Sequence, residues 1–448
     1  MAARASQHTS ALFTDLYEVT MAQGYLVERM SGTAVFETFY RKLPPGRSYV
    51  MAAGLSDVLD FLEDFRFEHD DLEYLRGLGL FTEEFLRRLA EVRFTGDVWA
   101  VPEGTVVFPN EPIVQIIAPI LEAQLVETFV VNQIHLQSVI ASKAARVVHA
   151  ARGAMVVDFG ARRAHGTDAA LKVARAGYLA GIAGTSNLLA ARRYGIPPFG
   201  TMAHSFIQAF GDERGAFDAF ARLYPGTTLL VDTYDTLDGV DHVIELAKRL
   251  GDRFGVSAVR LDSGDLGALS KATRAKLDAA GLQRVQIVAS SGLDEYRVAA
   301  LTNEGCPIDA FAVGTKLVVA ADAPALDMAY KLVEYDGSGR TKLSSGKVIY
   351  PGRKQVFRRL DRGFFTGDTI GTLDERLDGE PLLVPVMKNG RRVAQHDPGL
   401  QQARRWARQQ VDALPPQLRS LEDTGSFYRV DISPAITREL ERLRRARQ

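Results

Sequence analysis

The feature that most constrains this chain is a repeat of short apolar, β-branched runs, each ending at a polar or glycine position and followed by a helical stretch. Ala154-Met-Val-Val-Asp158 leads into Phe159-Gly-Ala-Arg-Arg-Ala-His-Gly166, and Phe199-Gly-Thr-Met202 into Ala203-His204. Thr228-Leu-Leu-Val-Asp232 leads into Thr233-Tyr-Asp235, and Ala258-Val-Arg-Leu-Asp262 into Ser263-Gly-Asp265. Val285-Gln-Ile-Val-Ala-Ser290 leads into Ser291-Gly-Leu-Asp294, and Phe311-Ala-Val-Gly314 into Thr315-Lys316. From Asp158 through Met202, Asp232, Asp262 and Ser290 to Gly314 the gaps are 44, 30, 30, 28 and 24 residues. One strand and its return helix take about 30 residues, so the middle of the chain reads as βα units. An irregular (β/α) barrel follows, complete or open, with its chemistry at the C-terminal strand ends. A doubly wound open sheet is the alternative. It normally carries a Gly-rich dinucleotide fingerprint after its first strand, and no G-x-G-x-x-G occurs here.

The flanks read differently. Ala11 to Gly24 has helical apolar spacing, with Thr14 or Asp15 able to cap it. Thr33-Ala-Val-Phe-Glu-Thr-Phe-Tyr40 alternates as a strand does, and a basic turn, Arg41-Lys-Leu-Pro-Pro-Gly-Arg47, follows it. Residues 54–93 read as helices with charged faces, 95–117 as short strands punctuated by Gly and Pro, and 121–151 as a long helix. After residue 329 the pattern is antiparallel: Tyr330 to Tyr335, a Gly-Ser-Gly turn, then Arg340 to Ser345. A basic run follows from Gly346 to Arg358, and residues 400–448 read as charged helix. The expected organisation is α/β: an N-terminal α+β domain over 1–130 and a barrel-like catalytic domain over 131–329. A C-terminal segment, 330–448, returns to the N-terminal domain and ends in a charged tail.

Composition narrows function mainly by exclusion. The chain has 448 residues, 46% of them apolar, and a net charge of −1, so no global field draws it to nucleic acid or to an anionic membrane. An anionic substrate must be held by a local basic cluster. The one cysteine, Cys306, excludes an intrachain disulfide, and residues 1–8 lack an apolar signal core, which together fit a cytoplasmic protein. There is no Walker loop, no H-E-x-x-H and no paired-Cys motif, so neither a P-loop nor zinc chemistry is expected.

Gathered at one barrel mouth, the strand ends would supply Arg162, Arg163, His165, Thr201, His204, Asp232, Asp235, Arg260, Asp262, Asp265, Ser290, Ser291, Gly292, Gly314 and Thr315. Gly-rich turns expose backbone N–H groups that suit phosphate, and 290–292 and 314–315 are two such turns on consecutive strands. Asp232 and Asp262 can accept from a ribose diol or hold water on Mg²⁺. Arg260 and Arg162 can fork onto a carboxylate. Taken one at a time, a strand-end Asp is usually a cap and a Gly-Thr usually a turn. Their joint occurrence points to an anionic sugar phosphate.

At this point the motifs resemble the nicotinate phosphoribosyltransferase family, among the type II phosphoribosyltransferases. They are Thr14-Asp-Leu-Tyr17, Phe159-Gly-Ala-Arg-Arg-Ala-His-Gly166, Gly184-Thr-Ser-Asn187, Gly200-Thr-Met-Ala-His204, Val231-Asp-Thr-Tyr-Asp235, Arg260-Leu-Asp-Ser-Gly-Asp265 and Val313-Gly-Thr315, in the family's order. The resemblance implies a reaction of nicotinate with 5-phosphoribosyl 1-diphosphate to give nicotinate mononucleotide and diphosphate, in NAD biosynthesis. It implies coupling to ATP through a phosphohistidine, matched at His204, with Mg²⁺ as cofactor, and a cytoplasmic homodimer. By the same resemblance Tyr17 of a neighbouring subunit and Phe159 sandwich the pyridine. Arg162, Ser186 and Arg260 surround the base and its carboxylate, Asp262 takes the ribose hydroxyls, and residues 290–292 with Gly314 and Thr315 hold the 5-phosphate. Arg41 and the lysines between Lys342 and Lys354 would reach phosphates across the dimer. Thr201 and Asp232 complete the substrate-binding set. The related nicotinamide enzyme has Asp where Ser186 stands. An Asp would repel a carboxylate and Ser does not, which favours nicotinate.

Two other classes stay open on the residues alone. A barrel aldolase or isomerase would want a Schiff-base lysine, for which Lys316 is the candidate. A non-catalytic nucleotide-binding regulator would lack His204, Asp262 or the glycine turns, all of which are present.

Overall fold

The computed structural model describes residues 9–343, 348–422 and 425–446. It comprises two compact units, one of residues 140–324 and one of residues 1–139 with 325–448.

The 140–324 unit is built on six parallel strands: β1 (Met155–Asp158), β2 (Gly184–Thr185), β3 (Thr228–Leu230), β4 (Ala258–Leu261), β5 (Gln286–Ala289) and β6 (Ala310–Val313). They hydrogen-bond in the order β2-β1-β6-β5-β4-β3. That order follows the chain around a circle with one seam, between β2 and β3, so the sheet is a curled half-barrel. The βα repeat predicted this class of fold. Helices return the chain after each strand, among them Thr167–Leu179, Thr236–Leu250, Leu266–Ala279 and Glu295–Asn303. All of β6 is buried, as expected of a parallel strand covered on both faces.

One predicted strand is absent. Phe199 to Met202 is loop, and the strand in its place in the order is the two-residue β2. A single bridge joins Thr185 to Pro198 at the seam. Pro197 and Pro198 supply no N–H, so a ladder cannot form through them, and Thr185 N–H instead donates to the Pro197 carbonyl at 3.1 Å. A two-residue strand is too short to show periodicity.

In the other unit the C-terminal segment pairs with the N-terminal one. Thr33–Tyr40 lies between Met328–Tyr335 and Val114–Pro119, antiparallel to both, in a seven-stranded sheet. Seven of its eight residues are buried. The alternation in the sequence therefore marks two covered faces rather than one wet face, and Glu37 meets a partner, Lys354, at 3.1 Å. The second arm expected after the Gly-Ser-Gly turn is only Ser338–Gly339, while Ser344 and Ser345 lie outside the described residues. The tail departs from continuous helix: Val430–Ile432 is a strand, parallel to Phe364–Thr372, between the helices Leu400–Asp412 and Pro434–Arg445. No helix of the described residues is long and apolar enough to cross a membrane.

Candidate active site

The half-barrel brings much of the predicted set together at the C-terminal ends of its strands. Arg260, on β4, is the centre. Its guanidinium, 12% exposed, donates through Nη1 to Thr201 Oγ1 at 2.7 Å and stands 6.0 Å from the centroid of the Phe159 ring. Asp262 Oδ2 is 3.9 Å from Nη2, and Arg260 Nε is buried with no hydrogen-bond partner. Burial lowers the pKa of this guanidinium; Asp262 and Asp232 act against that, and Arg162 adds to it. The cation is thus short of negative partners.

Asp262 is held from several sides. Ser290 Oγ donates to its Oδ1, and its own N–H donates to Asp232 Oδ2 at 2.9 Å. Ser263 Oγ donates to the same Asp232 oxygen at 2.5 Å, and Asp232 Oδ1 is buried without a partner. Asp262 Oδ2, left facing the mouth, lies 3.6 Å from His204 Nε2. His204 opens the helix His204–Phe210, with its other ring nitrogen 3.2 Å from Thr233 Oγ1 and its side chain 40% exposed. If Nδ1 carries the proton to Thr233, Nε2 keeps a free lone pair.

Asp158 ends β1, buried, accepting from Gly160 N at 2.8 Å and from Thr185 Oγ1 at 2.8 Å. Burial raises its pKa against those two hydrogen bonds. It ties the strand bearing Phe159 to the strand bearing Ser186, whose N–H donates to the Asp158 carbonyl. Gly160 is required there: a Cβ would stand 2.1 Å from Val318 Cγ1. Arg162, Arg163, His165 and Ser186 are exposed at the same strand ends.

The glycine turns follow β5 and β6. Ser290 is buried, its hydroxyl committed to Asp262 and its N–H to the Leu261 carbonyl at 2.9 Å. That is a partner different from the phosphate expected for it. Ser291 and Gly292 are exposed, both with positive φ, +81° and +61°. A serine there is strained, a state that persists where surrounding structure imposes it and that clusters at functional sites. Thr315 is exposed at the start of Thr315–Val318, after Gly314.

Other predicted groups do different work. Asp235 and Asp265 cap Thr236–Leu250 and Leu266–Ala279, each accepting from two backbone N–H groups. Lys316 is exposed and paired with Asp294 at 2.6 Å; a Schiff-base lysine would instead be desolvated and unpaired. Tyr17 and Arg41 belong to the other unit. Tyr17, 46% exposed, lines a pocket of about 450 Å³ with Met21, Glu127 and Tyr330. Arg41 pairs with Asp327 at 2.8 Å. Lys354, expected among the phosphate contacts, is buried on Glu37 and two carbonyls; Lys347 lies outside the described residues. The sequence reading passed over Thr233, Ser263 and Asp158 as site residues. Each lies inside or beside a motif already quoted, so the signal was adjacency.

Among the described residues no group of three or more His, Cys, Asp or Glu is placed to hold a metal ion. The orphaned Asp232 Oδ1 beside Asp262 nonetheless fits a Mg²⁺ that takes most of its ligands from water and phosphate.

A half-barrel with a cation, an aromatic ring and two open glycine turns at its strand ends presents groups suited to an anionic ligand. Family models agree and are more specific. The nicotinate phosphoribosyltransferase N-terminal domain matches residues 12–135, the nicotinate phosphoribosyltransferase family 154–344 and its C-terminal domain 375–439. The chain is 77% identical over 440 residues to nicotinate phosphoribosyltransferase pncB2 of Mycobacterium tuberculosis, covering 98% of this chain and 95% of that one. It is 42% identical over 383 residues to the Bacillus subtilis nicotinate phosphoribosyltransferase, covering 83% and 78%. Its fold matches human nicotinic acid phosphoribosyltransferase with a TM-score of 0.82 at 28% identity, covering 96% and 99%. The chain belongs to the nicotinate phosphoribosyltransferase family.

Proposed function

We propose that this protein makes nicotinate mononucleotide and diphosphate from nicotinate and 5-phosphoribosyl 1-diphosphate, a step in NAD biosynthesis. The observation that carries the reading is Arg260: a half-buried cation with a buried, unpartnered Nε, beside an aromatic ring and reinforced by Arg162. A planar aromatic carboxylate meets both demands, by stacking on Phe159 and by charge-assisted bonds to guanidinium. Ser186, exposed at the end of β2, adds no charge against it.

The pyridine nitrogen attacks C1 of the ribosyl group as the bond to diphosphate breaks, and diphosphate leaves with the electron pair. The nucleophile has no proton to lose, so no general base is needed. The protein contributes position and field. Asp262, oriented by Ser290 and Asp232, offers Oδ2 to the ribose hydroxyls and to the positive charge growing at C1. The open turns at 291–292 and 314–315 take the 5-phosphate. Asp232 and Asp262 would hold Mg²⁺, which offsets the charge of departing diphosphate.

ATP is proposed as a further substrate. His204 Nε2 attacks the terminal phosphorus, ADP leaves, and water later returns the histidine and releases phosphate. The phosphohistidine carries about two negative charges, set beside Asp262 and within the field of Arg260. A homodimer is proposed in which a second copy supplies Tyr17, with the exposed Phe13, Leu16 and Met21 on the same segment as its apolar surface.

A product assay with each base, with and without ATP, tests this. Mononucleotide should form from nicotinate, with stimulation by ATP that His204→Ala abolishes. Product from nicotinamide alone would reverse the base assignment. ATP stimulation retained in His204→Ala would remove the phosphohistidine.

A further inference from the structure

A cluster of buried charges lies away from the site chemistry. Lys143 and Arg146 sit on the 140–150 part of the helix Glu127–Ala150, and their side chains are 2% and 3% exposed. Both pair with Glu295, whose side chain is fully buried. Lys143 Nζ also binds Asp322 Oδ1 at 2.6 Å, and Arg146 Nη2 meets Tyr296 Oη at 3.1 Å. Glu295 and Asp322 thus lie against Lys143 and Arg146. Such a pairing stabilises little beyond what apolar packing would give, yet removing one partner is costly.

The places it joins are informative. Glu295 is the first residue of Glu295–Asn303, directly after the turn at 290–294. Asp322 follows Thr315–Val318, the helix that begins at the turn after β6. Lys143 therefore holds the far side of both glycine turns through one ammonium. A second tie runs between them: Lys316, in the later turn, pairs with Asp294, which caps the earlier helix by accepting from Arg297 N at 2.8 Å. Burial alone would raise the pKa of Asp294, but the Lys316 and Arg297 bonds hold it below its ordinary value.

We infer that Lys143 is a positioning residue for sugar-phosphate binding, fixing the spacing of the turns at 290–294 and 314–316 from beneath, with Lys316–Asp294 fixing it from the surface. The inference rests on the reading of these turns as the 5-phosphate cradle. A phosphate held by N–H groups from two loops needs both at once, and a loop displaced by half an ångström loses its share of those bonds.

The test is steady-state kinetics of the full chain, with melting temperature measured in parallel. Lys143→Met should raise KM for 5-phosphoribosyl 1-diphosphate about tenfold, leaving KM for nicotinate and kcat within about twofold. Asp322→Asn and Lys316→Ala, both at more exposed positions, should each raise it about threefold, and they decide the matter if Lys143→Met does not fold. Lys143→Arg should recover part of the loss. A lowered melting temperature with both KM values unchanged, while Thr315→Ala raises KM for the phosphoribosyl donor, overturns the positioning role and leaves the cradle standing. If Thr315→Ala, Lys143→Met and Asp322→Asn all leave that KM unchanged, the cradle reading itself falls.

Discussion

Two arginines, one in each unit, one buried and one half-buried, show how differently the same side chain is provisioned. Arg358 is 1% exposed and fully engaged: Nη2 and Nε reach Asp368, at 2.6 Å and 3.1 Å, and Nη1 donates to the Val106 carbonyl and to Gln410. Its guanidinium stands 5.5 Å from the centroid of the Phe108 ring and 4.5 Å from that of Phe365. A second carboxyl, Glu111, stands at 3.8 Å, its pKa pushed well up by burial and by Asp368. Burial works against the charge of Arg358, but Asp368 and then Glu111 outweigh burial and raise its pKa. Arg260 is shifted the other way, down, with one strong bond and an idle Nε. A cation matched by a buried carboxylate holds a fold together. A cation left short is set to receive a ligand.

The contrast is broken or sharpened by substitution. Arg358→Leu leaves Asp368 and Glu111 buried without their cation, and should destabilise the protein by about 3–5 kcal/mol, read as a fall in the denaturant midpoint. Arg260→Gln should lower kcat/KM about a hundredfold, roughly 2.7 kcal/mol, with the midpoint held. If Arg260→Gln unfolds the protein as readily as Arg358→Leu, the division into structural and receptive arginines is wrong.

Glu18 extends the comparison to pH. It is fully buried beside Tyr17, accepts from Thr14 and Thr128, and faces Asp15 and Glu127; burial raises its pKa to about 7. A carboxyl whose folded pKa lies above its unfolded value favours the fold when protonated. That contribution is complete below about pH 4.5 and is lost as pH rises through about 7. Glu18→Gln should flatten the stability profile between pH 5 and 8 by about 2 kcal/mol, measured by denaturation at each pH. The smallest effect is expected at Ser290→Ala. Loss of one bond orienting Asp262 should lower kcat about tenfold or less, with nicotinate KM unchanged.

The half-barrel was legible because its strands are covered on both faces, so Val156, Val259, Ile287 and Phe311 form apolar runs that repeat at the βα interval. The seam was not legible. Phe199 carries the apolar signature of a strand, and only Pro197 and Pro198, which close off the ladder, argue against it. Lys354 and Arg358 read as a basic stretch, since a sequence shows charge and not the Glu37 and Asp368 that neutralise it from elsewhere in the chain. At the site, Arg260, Asp262 and His204 stood out by their motifs, whereas Thr233 meets His204, Ser263 meets Asp232 and Asp158 joins Gly160 to Thr185 by contacts that only folding creates.

The seam has a consequence for how the mouth of the half-barrel moves. Backbone ladders open cooperatively, several bonds at a time. Beyond the Thr185–Pro198 bridge, the named bonds from the 201–204 segment to the far side of the gap are Thr201 with Arg260 and His204 with Thr233. Side-chain bonds of this kind break one by one, so residues 200–203 can swing while every β-strand, and the Phe199 N–H bond to the Thr185 carbonyl, stays zipped. The amides of that segment should exchange with solvent sooner than those of the strands on either side, and a bound molecule that occupies Arg260 and His204 together should act as the missing rung.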